Sequence, residues 1–134
     1  MLEINIEKRI EVKDIKPILA RALQMPEQNI LDEMDYWGLK DFAGFLGLAI
    51  LHEEGDYQTF AVVERNAEFD ENYRRLGFSL ARRLDCKVAI GDPQITKQED
   101  SGRLTIFHPN GQVSLGWGES VDGGFVVTQL EDDT

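Results

Sequence analysis

Two stretches of this chain each hold a pair of apolar runs joined by a glycine-bearing turn, and they limit the fold more than any other feature. In FLGLAILHEEGDYQTFAVVE, residues 45–64, the runs flank Glu53-Glu54-Gly55-Asp56-Tyr57. Glycine in first place at Gly55-Asp56 suits a type II′ turn, whose twist matches that of the strands it joins. That turn sets Leu51 opposite Phe60 and Ala49 opposite Val62. In RLTIFHPNGQVSLGW, residues 103–117, Asn110-Gly111 signals a type I′ turn. With Pro109 facing Gln112, Leu104 meets Trp117, Ile106 meets Leu115 and His108 meets Val113, all on one face. Both runs of the first pair are apolar on both sides, which places them centrally in a sheet rather than at its edge.

The remaining segments alternate between the two periods. Leu2, Ile4 and Ile6 alternate with Glu3, Asn5 and Glu7, the period of a half-buried strand. In VKDIKPILARALQMP, the residues Ile15, Ile18, Leu19, Ala22 and Leu23 form one helical stripe. Asp14 can cap that helix, Pro17 is tolerable in its first turn, and Pro26 limits it. Ile30, Leu31 and Met34 predict a short second helix interrupted at Gly38, with LKDFAGF as a further helical turn. FDENYRRLGFSLARRLDC is a helix with Tyr73, Leu76, Leu80, Ala81 and Leu84 as its buried stripe. Asp70 is its expected N-cap, and Arg82 and Arg83 lie near its C-terminus, where the dipole favours cations. A short strand from Lys87 to Ile90 follows, then the polar loop GDPQITKQEDSG. GESVDGG reads as a loop, FVVTQL as a last strand and EDDT as a frayed acidic tail. The order predicts an α+β fold: a single domain over residues 1–134, with an antiparallel-rich β-sheet and two or three helices packed on one face.

Charge narrows the function. The chain has 25 acidic and 14 basic residues, a net charge of −11. A nucleic-acid binder needs Lys and Arg to displace phosphate counterions, so that class is disfavoured. Docking on anionic lipid is disfavoured for the same reason. A basic protein partner fits, because long-range attraction would speed the encounter. The single cysteine, Cys86, excludes an internal disulfide, and two histidines with one cysteine cannot complete a four-ligand Cys/His zinc site. No stretch approaches the roughly 18 apolar residues that span a membrane. MLEINIEKRI lacks the basic and apolar regions of a signal peptide, which suggests a reduced, cytoplasmic setting.

No catalytic signature stands out. His52-Glu53-Glu54-Gly55-Asp56 gathers carboxylates that could bind calcium or magnesium, but a solvated turn explains them better. Cys86 follows a helix C-terminus, where a thiolate is not stabilised, so it reads as inert. His108 reads as a hydrogen-bonded structural histidine. Gly116-Trp117-Gly118 lacks the Lys-Ser/Thr of a phosphate loop and marks a bulge or bend. Asp70 and Glu71 could form an acid/base pair, although capping accounts for Asp70. The pairs Arg74-Arg75 and Arg82-Arg83 recur eight apart on one helix and could hold a phosphate or carboxylate, but a solvated face opposite the leucine stripe explains them better. No metal or organic cofactor is expected. Net negative charge is concentrated in residues 91–134, with 8 acids and only 2 bases, and in the base-free stretch Glu27 to Asp35. Tyr36 and Trp37 follow directly. Carboxylates supply steering and rings supply anchors, so Asp32, Glu33, Asp35, Tyr36 and Trp37 form one candidate partner surface. Glu53, Glu54, Asp56 and Tyr57 form a second. Trp37 fits the core equally well.

The run YRRLGFSLARRLDCKVAIGD, a variable polar loop and RLTIFHPNGQVSLGW resemble the small bacterial immunity proteins of polymorphic and contact-dependent toxin systems. The matching elements are Leu80 to Leu84, Val88 to Asp92, and Pro109-Asn110-Gly111, within residues 70–118. The resemblance implies an acidic, non-enzymatic, cytoplasmic protein that binds one cognate toxin and blocks it. Many such toxins are basic nucleases. Asp32 to Trp37 also resembles barstar-type ribonuclease inhibitors, which present carboxylates on a helix to a basic cleft. Two other readings compete. An acidic secretion chaperone has similar size and pI but usually begins and ends with helices. A small enzyme would need an acid pair that no motif reveals.

Overall fold

Leu2, Ile4 and Ile6 point to one side of the first strand, β1 (Leu2–Ile6), and are essentially inaccessible to water. A computed structural model of the chain describes residues 1–64, 72–91, 102–121 and 124–132. After β1 come α1 (Val12–Leu23), a 3-10 turn (Glu27–Asn29), β2 (Ile30–Asp32) and α2 (Glu33–Trp37). Then follow β3 (Leu46–His52), β4 (Glu54–Gly55), β5 (Thr59–Glu64) and α3 (Asn72–Leu84). The chain ends with β6 (Val88–Gly91), β7 (Arg103–Phe107), β8 (Val113–Val121) and β9 (Gly124–Asp132). The fold is α+β, with the nine strands of the described residues in one mostly antiparallel sheet of order β2-β3-β5-β1-β6-β7-β8-β9-β4.

Helices α1 and α3 cover one face. Ile15, Ile18 and Leu19 of α1 and Tyr73, Leu76, Leu80 and Ala81 of α3 pack on Ile4, Ile6, Val63, Val88, Ile90 and Phe107. Each fully buried aliphatic side chain there contributes about 1.5–3 kcal/mol. The α1 cap lies three residues earlier than expected. Glu11 is the N-cap, and Asp14, in the first turn, accepts from the Glu11 N–H at 3.0 Å. Pro17 therefore falls in the second turn, on the exposed side, where its missing N–H leaves the Lys13 carbonyl to solvent.

The other face has its own small core. The tip of the β3–β5 hairpin, β4, pairs in parallel with β9, at the far end of the strand order (Glu54↔Gly124, Gly55↔Phe125). The sheet therefore curls until β9 meets the tip of the β3–β5 hairpin. Inside the curl lie Tyr57, Ala89, Leu104 and Ile106, with Phe125 and Val127 against them. Asn5 shares this face; it is buried, and its Oδ1 has no hydrogen-bond partner among the described residues.

The first hairpin has the expected register, Leu51↔Phe60 and Ala49↔Val62, with Gly55 at φ +104°. The second is shifted by one residue. Leu104 pairs with Gly116, Ile106 with Ser114, Phe107 with Val113, and Arg103 with Trp117. Leu104 and Trp117 thus lie on opposite faces, contrary to the sequence reading. The Gly111 N–H reaches the His108 carbonyl at 3.0 Å, and the His108 N–H reaches the Gln112 carbonyl at 2.9 Å. This is a three-residue loop: a type I turn with Pro109 in second place, then Gly111 at φ +92°. In the expected two-residue turn Pro109 would have to donate an N–H to Gln112, and proline has none.

Three further expectations are corrected. Ile30 to Asp32 form a strand parallel to β3 rather than a helical turn, and only Glu33–Trp37 is helical. Residues 39–45 contain no further helical turn. Gly118 to Val121 continue β8, and β9 extends to Asp132. The bulge expected near Gly116 is present, as a register irregularity between Leu115 and Gly116. The Asp70 cap, the Asp70/Glu71 pair and residues 92–101 of the polar loop lie outside the described residues.

Candidate functional site

Asp32 ends β2 and starts α2: its Oδ1 accepts the Asp35 N–H at 2.8 Å. That cap fixes a five-residue helix, too short to persist without tertiary support. Tyr36 supplies the support. A Cβ on Gly47 would lie 2.8 Å from Cγ of the Tyr36 ring, so the ring seats directly on that backbone. Gly47 sits between Leu46 and Leu48, whose side chains face α1, so Tyr36 covers the opposite face. Tyr36 is consequently core, 1% exposed, and is removed from the candidate contact residues.

Its neighbour points outward. Trp37 is 55% exposed, braced edge-on by Tyr36 at 5.3 Å and by Phe42 at 5.7 Å. Met34, three residues before it and expected to be buried, is 86% exposed. Asp32, Glu33 and Asp35 are all exposed around this pair. Beside the ridge, between α1 and β2, lies a pocket of about 220 Å³. Val12, Ile30, Leu31 and Leu48 give it apolar walls; Asp32 and Asp35 line it against the single cation of Lys16.

The second candidate patch divides. Glu54 and Asp56 are exposed, whereas Tyr57 is buried by the curl of the sheet and is not a contact residue. Burial, reinforced by Glu7 and Asp56, pushes the Tyr57 hydroxyl well above its ordinary pKa. Glu53 is half-buried and lines a cavity of about 250 Å³ together with Glu3, Asn5, Phe60 and Phe125. His52 does not join these carboxylates. Its Nε2 lies 2.8 Å from the Ile10 carbonyl, an acceptor only, so that nitrogen carries the proton. Among the described residues, no three His, Cys, Asp or Glu side chains are grouped so as to hold a metal ion.

The two patches occupy different stretches of one strand. Asp32 is level with Leu48, while the tip starts at Glu53, about 16 Å further along at ~3.3 Å per residue. Leu51 lies between them on the face that Tyr36 covers, and is 62% exposed. Cys86 is buried, and burial raises its thiol pKa, which leaves it inert. His108 bonds Ser114 Oγ through Nε2 at 2.7 Å.

Sequence reasoning missed Met34 and the pocket walls. Ile30 and Leu31 occupy a three-residue strand, too short to display a period of two, so they read as helix. The arginine pairs are exposed, as a solvated face requires, and Arg75, Arg82 and Arg83 also line a cleft of about 590 Å³ with His108. Comparison with protein-family models, curated proteins and solved structures gives no match. No helix among the described residues is long and apolar enough to cross a membrane.

Proposed function

We propose that this chain is a non-enzymatic binding protein that neutralises a basic protein partner, as an immunity protein neutralises its toxin, with the α2 ridge as its contact surface. One observation carries the reading: Met34 and Trp37 stand out to solvent at 86% and 55% exposure on a short helix that also exposes Asp32, Glu33 and Asp35. Large apolar side chains grouped at a surface and rimmed by charge are the usual anatomy of a binding site. The adjoining pocket suits a Lys or Arg side chain of the partner. Its apolar walls would cover the methylene stem, and Asp32 and Asp35 would meet the cationic head.

A stable interface buries about 800 Å² on each partner, more than this ridge alone offers. Leu51 extends the surface along β3 towards Glu54 and Asp56. The contact set is therefore Asp32, Glu33, Met34, Asp35, Trp37 and Leu51, with the hairpin-tip carboxylates as its far rim.

The test is retention of proteins from the native host on the immobilised chain. The wild type should retain a basic protein. Trp37→Ala, and separately Glu33→Lys with Asp35→Lys, should lose it while keeping the wild-type circular dichroism. Asp32 is best changed to Asn, which removes the charge but still caps α2. An acidic retained partner, or retention unchanged in both variants, overturns the proposal.

A further inference from the structure

A cluster of arginines lies away from the α2 ridge. It sits in a cleft of about 590 Å³ between α3 and the β7–β8 turn, lined by Arg75, Arg82, Arg83, His108, Phe78 and Asn110 among others. Arg75, Ser79 and Arg82 are spaced i, i+4, i+7, so one face of α3 supplies them. Among the described residues, no Asp or Glu lines the cleft, in a chain with 25 acids. Among the described residues, Arg75, Arg82 and Arg83 have no ion-pair or hydrogen-bond partner.

Helix electrostatics and capping account for only part of this cluster. Cations belong at a helix C-terminus, but Arg75 is in the first turn, where the dipole disfavours it. Arg82 and Arg83 are in the last turn, where the dipole favours them, but they are not needed to cap the Leu84 and Ala81 carbonyls. Lys8 Nζ donates to the Leu84 carbonyl at 2.9 Å, and the Cys86 N–H donates to Ala81. Three guanidinium groups facing one concavity repel each other, and an anion between them would reverse that cost. Arginine is suited to this because its planar fork matches phosphate oxygens in pairs.

The charge of the whole chain limits the size of the anion. A long polyanion would meet repulsion from a net −11. A small one feels the local arginines, because the rest is screened beyond about 8 Å at physiological salt. The walls suggest what accompanies the phosphate. Phe78 is held edge-on against Phe107 at 5.0 Å, and Pro109 lines the cleft with it. Together they offer a fixed apolar surface for an organic group. The geometry points to a binding site for a small organic phosphate: the phosphoryl oxygens on Arg75, Arg82 and Arg83, the organic group against Phe78 and Pro109.

The test is an NMR titration of the full chain at constant ionic strength, with phenyl phosphate, inorganic phosphate and phenol as probes. Phenyl phosphate should bind saturably and shift the amides of Phe78 and Gly111. Inorganic phosphate should bind more weakly, and phenol not at all. Arg75→Gln with Arg82→Gln should weaken phenyl phosphate by about tenfold or more, the usual scale for charge-assisted hydrogen bonds. Arg21→Gln, an exposed arginine on α1, should change nothing, and equal urea midpoints should show that each variant is folded. Absence of saturable binding overturns the site. Equal binding in the double variant overturns the assignment to these arginines. Inorganic phosphate binding as tightly as phenyl phosphate overturns the role of Phe78.

Discussion

Replacing Gly77 with alanine sets two effects of opposite sign against each other. In an exposed helix the change gains about 1 kcal/mol, because glycine is a poor helix former. Here a Cβ would lie 2.4 Å from Cδ2 and Cε2 of Phe107. That is about 1 Å inside ordinary carbon–carbon contact. The ring cannot swing aside, since Phe107 is fully buried and held by Phe78 at 5.0 Å. Forcing an extra methyl into such a site costs about 1–3 kcal/mol, and an overlap on two ring atoms belongs at the upper end. The net expectation is a loss of about 2 kcal/mol, a fall of ~1 M in the urea midpoint at a typical m-value. The assay is urea unfolding followed by tryptophan fluorescence. In a Phe107→Leu background the clash is gone, and the same Gly77→Ala change should become neutral or stabilising. A Gly77→Ala variant as stable as the wild type would refute this packing of α3 on β7, and with it the shape of the arginine cleft.

Three other outcomes are expected. Tyr36→Ala should cost about 3–5 kcal/mol as a buried aromatic, whereas Trp37→Ala should cost under ~1 kcal/mol; equal losses in thermal or urea unfolding would contradict the placement of the two rings. Gly111→Ala should cost about 1–2 kcal/mol through backbone strain alone, because φ is +92° and nothing lies within 4 Å of the added Cβ; a neutral result would contradict the three-residue loop. Tyr57 and Cys86 both have folded pKa values raised by burial, so the folded state holds their protons where the unfolded state releases them. Their contribution is present in full below their unfolded pKa values, about 8.5 for the thiol and about 10 for the phenol, and is lost as pH rises past them. The urea midpoint should therefore fall above about pH 8.5 and more steeply above about 10, and Tyr57→Phe should remove the steeper part.

The parts of the fold that sequence revealed are those where one residue type dictates one local geometry. Of the stripe Tyr73, Leu76, Leu80, Ala81 and Leu84, the first four are buried and Leu84 is half-buried, and Gly55 sets the register of the first hairpin. The second hairpin shows how two signals compete. Asn110-Gly111 favours a two-residue turn, but Pro109 cannot supply the flanking N–H, and the chain takes the three-residue loop. The closure of β4 on β9 was illegible, because it joins residues about 70 apart through a two-residue strand. That closure, which buries Tyr57, and the seat of Tyr36 on Gly47 are both tertiary contacts that local periodicity does not encode, so the sequence could not separate core aromatics from surface ones. It did place the carboxylates of Asp32, Glu33 and Asp35 beside Trp37, and the structure leaves all four exposed.

The most direct test of the proposed function is the association rate with the retained partner, measured by stopped flow from low to physiological salt. Steering by the α2 carboxylates predicts that the wild-type rate falls steeply as salt rises. Glu33→Lys with Asp35→Lys should slow association at low salt by about tenfold or more and flatten that dependence. Dissociation should be changed chiefly by Trp37→Ala instead. A wild-type association rate independent of salt, and unchanged by the double reversal, would contradict the acidic ridge as the binding surface.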